Sequence, residues 1–370
     1  MSEMTTDVVR SYERPKVPLR LAVVGLRMGR AHADGASASG CFEVAGLCDL
    51  DEGTLASAAE RFPNARTFRD FREMLEGVRP EVVVVATPNR LHYEECVMAL
   101  ESPGLRGGGG GRRGLMVEKP MTLTLGQARD VLRRAKLAGV AVAVNHQRRT
   151  WPAFRTMRKL MTSGAIGTPQ LIRASCAGDF LSDGTHLVDT CRYLAGDVPV
   201  RRVWATVFRQ KDGYYTGERY GHTVDTAAMA VIDFEGGLRA ELHTGQLQPP
   251  GRSYQDYEVF GTEGRLWRAG DGAAVPLLLQ DTAGGWRQVK LEPFDVPEHP
   301  NLSLAGVYVR FYQQIAEGRP NPMSGEAGVA AMEICHAVYE SARLNRVVTL
   351  PVEGEVDRWV LDEMIAAGRF

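Results

Sequence analysis

The chain alternates short, wholly apolar runs with longer stretches in which apolar residues recur at helical spacing. Leu21-Ala22-Val23-Val24 is apolar throughout and stops at Gly25, the pattern of a strand buried on both faces. A helical stretch over 29–39 follows, then a second strand over 42–48 that ends at Asp49. Residues 52–61 and 70–76 read as helices. Val82-Val83-Val84-Val85-Ala86 is the clearest interior strand: its β-branched side chains suit a pleated backbone, and its lack of alternation requires covering layers on both faces. A helix over 89–100, a strand at 115–117, a helix over 125–138 and a strand over 140–144 continue the series. Strands separated by helices predict βα crossovers and a parallel sheet.

After Pro152 the texture changes. Strand-like runs at 171–174, 203–207, 226–234, 238–243, 257–260 and 265–267 outnumber the helical candidates at 184–194, 304–317 and 325–342. The chain therefore reads as an α/β Rossmann domain with a mostly parallel sheet, followed by an α+β domain built on a large, mainly antiparallel open sheet. The expected boundaries are a flexible arm over 1–18, a dinucleotide-binding domain over 19–150, a substrate and oligomerisation domain over 151–350, and a tail over 351–370. An open sheet face needs a cover, and a second copy of the chain, in a homodimer or homotetramer, is the economical one.

Composition narrows the partners. A formal net charge of -1 gives no basic footprint for nucleic acid or an acidic membrane. No apolar run approaches the roughly 20 residues of a spanning helix. The first residues carry Glu3, Asp7 and Glu13 without an apolar centre, so no secretory signal is expected. The six cysteines lack short paired spacings and read as reduced thiols of a cytoplasmic protein. His146, His186, His222 and His243 lack a tight ligand spacing as well, and no metal is expected. The glycines 107–111, flanked by arginines, read as a dispensable surface insertion.

The first strand leads into Gly25-Leu26-Arg27-Met28-Gly29-Arg30-Ala31-His32. A dinucleotide fingerprint has three glycines, and here the middle one is missing and Gly25 and Gly29 stand one residue too close. Alone, the loop is equally a plain strand–helix turn. Its place after a buried strand, at a helix N-terminus that can receive phosphate, and ahead of Asp49 at the next strand's end makes it a cofactor site. Asp49 can accept from the adenosine ribose hydroxyls and would repel a ribose phosphate, so NAD is expected over NADP. Arg27 and Arg30 keep the phosphorylated cofactor open.

Ordered motifs run along most of the chain: Gly29-Arg30-Ala31-His32, Ala86-Thr87-Pro88-Asn89 with His92, Glu118-Lys119-Pro120, Arg149 with Pro152, Gly184-Thr185-His186-Leu187-Val188-Asp189, and Gly261-Thr262-Glu263-Gly264. In this order the chain resembles the glucose-fructose oxidoreductase / inositol dehydrogenase / rhizopine catabolism family from about Leu19 to Leu350. The resemblance implies a sheet-forming second domain used in oligomerisation and dehydrogenase chemistry on a sugar or polyol. It implies Lys119 as the active-site lysine and His186 as the group that exchanges a proton with the reacting hydroxyl. On the cofactor side the expected residues are Gly25, Arg27, Met28, Gly29, Asp49, Thr87, Pro88, Asn89, His92, Glu118 and Lys119.

The chemistry agrees with those roles. Oxidising a secondary alcohol moves hydride to nicotinamide while a base takes the hydroxyl proton, and imidazole suits that task near neutrality. A lysine ammonium can hold the same oxygen as it becomes anionic. Gln147 and Arg149, leaving a strand end, are candidate substrate contacts beside Lys119, Asp183 and His186, and Trp151, Tyr254 and Tyr257 are candidate apolar walls. One departure stands out: relatives carry aspartate four residues before the histidine, where this chain has Ser182 with Asp183 beside it. Asp183 either reaches the substrate or caps the helix. Asp189 is a candidate for orienting His186. Two alternatives remain at this point: transient oxidation that drives cleavage of a glycosidic bond, and a non-catalytic ligand-binding protein.

Overall fold

The computed structural model describes residues 15–106, 112–210, 217–249, 254–271, 276–293, 303–354 and 356–370; the glycine insertion 107–111 and most of the arm lie outside them. The first sheet holds β1 (Leu19–Val24), β2 (Phe42–Cys48), β3 (Arg66–Phe68), β4 (Val82–Val85), β5 (Gly114–Val117) and β6 (Ala141–Val144). Their order is β3-β2-β1-β4-β5-β6 and every neighbouring pair is parallel. The crossovers are α1 (Leu26–Ser39), α2 (Glu52–Arg61), α3 (Phe71–Val78), α4 (His92–Glu101) with the short α5 (Pro103–Arg106), and α6 (Leu125–Ala138). The valine run of β4 explains its own composition. Val83 and Val85 enter the layer holding Met74, Cys96 and Val131, whereas Val82 and Val84 enter the opposite layer under α1.

That second layer is closed from far along the chain. After α7 (Pro152–Thr162) and α8 (Thr185–Leu194), the helix α9 (Ser303–Glu317) returns and packs its Tyr308 and Phe311 with Phe42 and Leu21. Helix α10 (Gly325–Leu344) lies against α6, α8, β6 and two strands of the second sheet, so the two halves share a continuous interior.

The second sheet is built from β7 (Pro169–Cys176), β8 (Val200–Phe208), β11 (Ala227–Phe234), β12 (Arg239–Thr244), β13 (Gln255–Gly261), β14 (Gly264–Ala269), β15 (Leu277–Asp281), β16 (Arg287–Val289) and β17 (Val348–Thr349); β9 (Glu218–Arg219) and β10 (His222–Thr223) form a separate two-strand ladder. The order β16-β15-β14-β13-β7-β12-β11-β8-β17 is antiparallel except at β7–β12. Alternation is clean along β8, where Val203, Ala205 and Val207 face the helices and Trp204 and Phe208 face outward. The C-terminal residues carry α11 (Val360–Ala366), which docks through buried Val360, Leu361 and Met364. Among the described residues no helix is long and apolar enough to cross a membrane.

Candidate active site

Five ends of the parallel sheet converge on one edge, the side where ligands bind in open α/β sheets. Residues Gly25, Asp49, Ala86–Asn89, Glu118–Pro120 and Asn145–Arg149 follow β1, β2, β4, β5 and β6 there.

The cofactor cradle is tighter than a standard fingerprint. Helix α1 begins at Leu26, directly after Gly25, earlier than the sequence pattern indicates, because the loop is one residue short. Gly25 has φ 83°, and a Cβ there would lie 2.6 Å from Ala86 C and Thr87 N, so only glycine fits. At Gly29 a Cβ would stand 2.6 Å from Val23 Cγ1, which gives this glycine the close helix–sheet packing role. Asp49 Oδ2 accepts from Leu26 N at 2.6 Å and Oδ1 from Asp51 N at 2.9 Å, which fixes the carboxylate at the mouth. The first-turn amides of Arg27 and Met28 precede the first possible intrahelical bond, leaving two donors for a pyrophosphate despite the lost glycine. The cradle thus fits a dinucleotide.

After β4, Thr87 donates its hydroxyl to Glu95, whose carboxyl burial pushes up to about 7. His92 is fully buried with Nδ1 2.8 Å from Pro120 O and Nε2 2.9 Å from Thr87 O, so it ties two site loops together. The Lys119–Pro120 peptide is cis. Glu118 accepts from His32 Nε2 at 2.8 Å, Asn145 Nδ2 at 2.6 Å and Lys119 N at 3.0 Å. Burial opposes its charge, yet the bond and charge of His32, with Lys119 and Asn145, bring its pKa down to about 2. His32 Nδ1 lies 2.8 Å from the Tyr308 hydroxyl, so α1, β5, β6 and α9 meet on one carboxylate.

Lys119 Nζ reaches across to the second half of the chain and donates to Ser182 O at 2.9 Å. Residues 180–184 form a π-helical turn ahead of α8, closed by Gly184 N to Asp179 O at 3.0 Å. His186 follows on α8, buried, with Nδ1 lacking a hydrogen-bond partner. Burial, reinforced by the charges of Arg148 and Lys119, holds its pKa well below the ordinary histidine value, so it is a neutral imidazole at neutral pH. His146 packs edge-on to it at 5.8 Å between ring centroids and is itself lowered to about 4 by burial.

Four expectations land differently in the structure. Asp183 is buried and bound to Arg219 Nη1 at 2.6 Å and to the Tyr254 hydroxyl, so its carboxylate is already partnered. Arg149 gives Nε and Nη2 to Asp189 at 2.7 and 2.8 Å and both Nη atoms to Asp197 at 2.9 Å, an arrangement that builds the wall of the site. Asp189 consequently serves Arg149 and stands 3.5 Å from His146 Nδ1. Tyr257 is buried with its hydroxyl on Gln255.

Arg148 escaped the sequence reading. It is buried, gives Nη2 to Asp271, lies 5.3 Å from the Trp151 ring, and keeps Nε and Nη1 without partners. Gln147 Oε1, Asn145 Oδ1 and Trp151 Nε1 are also buried and unpaired. Such polar atoms mark a place where a ligand completes the hydrogen bonding. In the sequence Arg148 shares the strand-end cluster of Gln147 and Arg149, and that placement cannot say which arginine keeps free N–H groups. Among the described residues no group of three or more histidine, cysteine or acidic side chains is arranged to hold a metal.

A dinucleotide cradle, a lysine and a neutral histidine at one sheet edge define an NAD-binding oxidoreductase. The chain belongs to the Gfo/Idh/MocA family: residues 19–146 match its oxidoreductase domain with the NAD-binding Rossmann fold, and 154–267 match the Gfo/Idh/MocA C-terminal domain. It is 26% identical over 322 residues to the scyllo-inositol 2-dehydrogenase (NADP(+)) of Bacillus subtilis strain 168, covering 78% of this chain and 84% of that one. It is 24% identical over 349 residues to the myo-inositol 2-dehydrogenase of Thermotoga maritima, covering 90% and 98%. In three dimensions it is similar to levoglucosan dehydrogenase in complex with NADH, with a TM-score of 0.76 at 21% identity over 91% of this chain and 100% of that one.

Proposed function

We propose that the protein moves hydride between NAD and a ring hydroxyl or ketone of a sugar, sugar derivative or cyclitol, with His186 as the proton-exchanging group and Lys119 as the partner of the reacting oxygen. The observation that carries this is the neutral, buried His186 within electrostatic reach of Lys119, beside unpaired polar atoms of Gln147 and Arg148. The relatives named for inositol, glucoside and levoglucosan dehydrogenation support the substrate class. Bound nicotinamide supplies the hydride acceptor. His186 takes the hydroxyl proton, Lys119 exchanges its bond to Ser182 O for one to the substrate oxygen, and Gln147 and Arg148 bind neighbouring hydroxyls. A panel of cyclitols and sugars with NAD, followed at the NADH absorbance band, tests the reading. Turnover of a glycoside without NADH release would move the function to redox-assisted cleavage.

Cofactor preference follows from Asp49. Its carboxylate, held by two backbone amides, accepts the ribose diol and opposes a ribose phosphate. Catalytic efficiency with NAD should exceed that with NADP by about tenfold or more, the equivalent of ~1.4 kcal/mol. Asp49→Ala should erase most of the difference. A wild-type enzyme favouring NADP would put Arg27 in control.

The outer face of the second sheet supports self-association. One row crosses it in register: Trp204, Val231, Glu241, Arg173, Glu258, Trp267 and Leu278. Apolar ends flank a central charged trio, with Arg173 Nε 3.5 Å from Glu241, a pattern suited to a second copy of the same face. Light scattering should give a dimer or tetramer, and Trp204→Glu should shift it to a smaller species. A monomeric wild type refutes this arrangement.

A further inference from the structure

The sheet does not require the hairpin between β8 and β11. Among the described residues its strands β9 and β10 pair only with each other, Arg219 opposite His222. Arg219 Nη1 binds Asp183 at 2.6 Å and Asp179 at 3.2 Å. His222 Nδ1 donates to Thr223 O at 2.8 Å, which leaves Nε2 to accept from Asn89 Nδ2 at 3.0 Å and from the Ser182 hydroxyl at 3.2 Å. Gly221, at φ 79°, runs so close to Arg90 that a Cβ would collide with that side chain. From behind, Trp359 Nε1 donates to Thr223 Oγ1 at 2.7 Å and its ring meets His222 edge-on at 5.8 Å. The hairpin is therefore held to the cofactor-side Asn89 and to Ser182, whose carbonyl takes Lys119 Nζ.

At the tip of this fixed hairpin stands Tyr220. Its φ is 52°, the left-handed region that an aromatic residue seldom occupies and that persists only where surrounding contacts impose it. The Arg219 guanidinium lies 4.6 Å from the ring centroid, and its Nη2 donates to the Tyr220 hydroxyl at 2.9 Å. The arginine stiffens the ring, yet Tyr220 stays 45% exposed. Across the same Arg219–Asp183 pair, Tyr254 is also partly exposed and holds Asp183 through its hydroxyl. Two tyrosines thus flank one ion pair beside the acceptor of the active-site lysine. Exposed aromatics held beside the acceptor of the active-site lysine suit a ligand that is apolar on its faces and polar at its rim, the character of a pyranose or cyclitol ring.

We propose that the β9–β10 hairpin is the specificity element of the substrate site, with Tyr220 the surface on which the C–H face of a pyranose or cyclitol ring lies. This rests on the polyol reading above. The test uses myo-inositol and D-glucose as ring probes and sorbitol as an acyclic one, each at saturating NAD. Tyr220→Gly removes the ring while suiting the left-handed backbone, and Tyr220→Phe retains it. Tyr220→Gly should raise KM for the oxidised ring probe roughly 3- to 10-fold, with kcat and the KM for NAD within about twofold. Tyr220→Phe should restore the low KM, and any sorbitol turnover should be indifferent to both changes. An unchanged ring KM in Tyr220→Gly, or an equal rise for ring and acyclic probes, overturns the platform while the polyol reading stands. A wild type that oxidises no cyclitol or sugar overturns both.

Discussion

His186→Asn should lower kcat by roughly 10²–10⁴-fold, the usual worth of a positioned proton-transfer group, while NAD still binds. The expectation of retained binding comes from the fold: Gly25, the α1 amides and Asp49 belong to the first half of the chain, whereas His186 stands on α8 of the second. Asparagine keeps a polar side chain of similar reach but cannot take a proton at neutral pH. The pH profile carries a second signature. Burial, with Arg148 and Lys119 nearby, disfavours the imidazolium, so the proton leaves His186 below the ordinary histidine value. The active neutral form is then already dominant at pH 6.5, and the acid limb of kcat/KM should fall below that pH in the wild type. Near-wild-type turnover in His186→Asn would remove the histidine from the mechanism. Loss of NAD binding, followed by titration of the protein with NADH, would instead assign it to the cofactor pocket.

What the sequence made legible, and what it did not, divides along contact distance. The interior strands announced themselves because burial on both faces forces apolar runs such as Val82–Val85. Glu118 and Asn145 follow two such runs, β5 and β6, at the ligand edge. The edge strand β3 and the two-residue β9 and β10 are too short for any periodicity to show. Asp183 illustrates a different limit. A carboxylate beside the expected catalytic position looks available until Arg219, 36 residues later, is folded onto it. Arg148 and Arg149 are neighbours in sequence, but only three-dimensional packing sends one to Asp189 and leaves N–H groups of the other unpaired. The buttress His32–Glu118–Tyr308 spans 276 residues between histidine and tyrosine, beyond any local pattern. Residues 182 and 183 lie in the π-helical turn at 180–184, whose spacing ahead of His186 no local sequence pattern shows.

Lys119→Ala should depress kcat by roughly 10²–10³-fold, comparable to removing one preorganised donor from a developing oxyanion. Its fold should survive, because Glu118 keeps its His32 and Asn145 partners and Pro120 keeps the contact of its carbonyl with His92. The lysine's own acceptor, Ser182 O, lies at a π-helical turn and loses one bond. Thermal unfolding should therefore move little while turnover collapses. Combined with His186→Asn, the loss should fall well short of the product of the two single effects. Both groups act on one oxygen: without the base, the alkoxide that Lys119 stabilises scarcely forms, and without the lysine the base abstracts a less acidic proton. Deuterium at the oxidised carbon supplies the control, since a primary isotope effect should appear or grow in each single variant if a chemical step has been slowed. Strictly multiplicative kcat losses would mean the two residues act independently. An unchanged kcat with a raised KM in Lys119→Ala would instead confine the lysine to substrate binding, the pattern of a contact equally strong in ground and transition states.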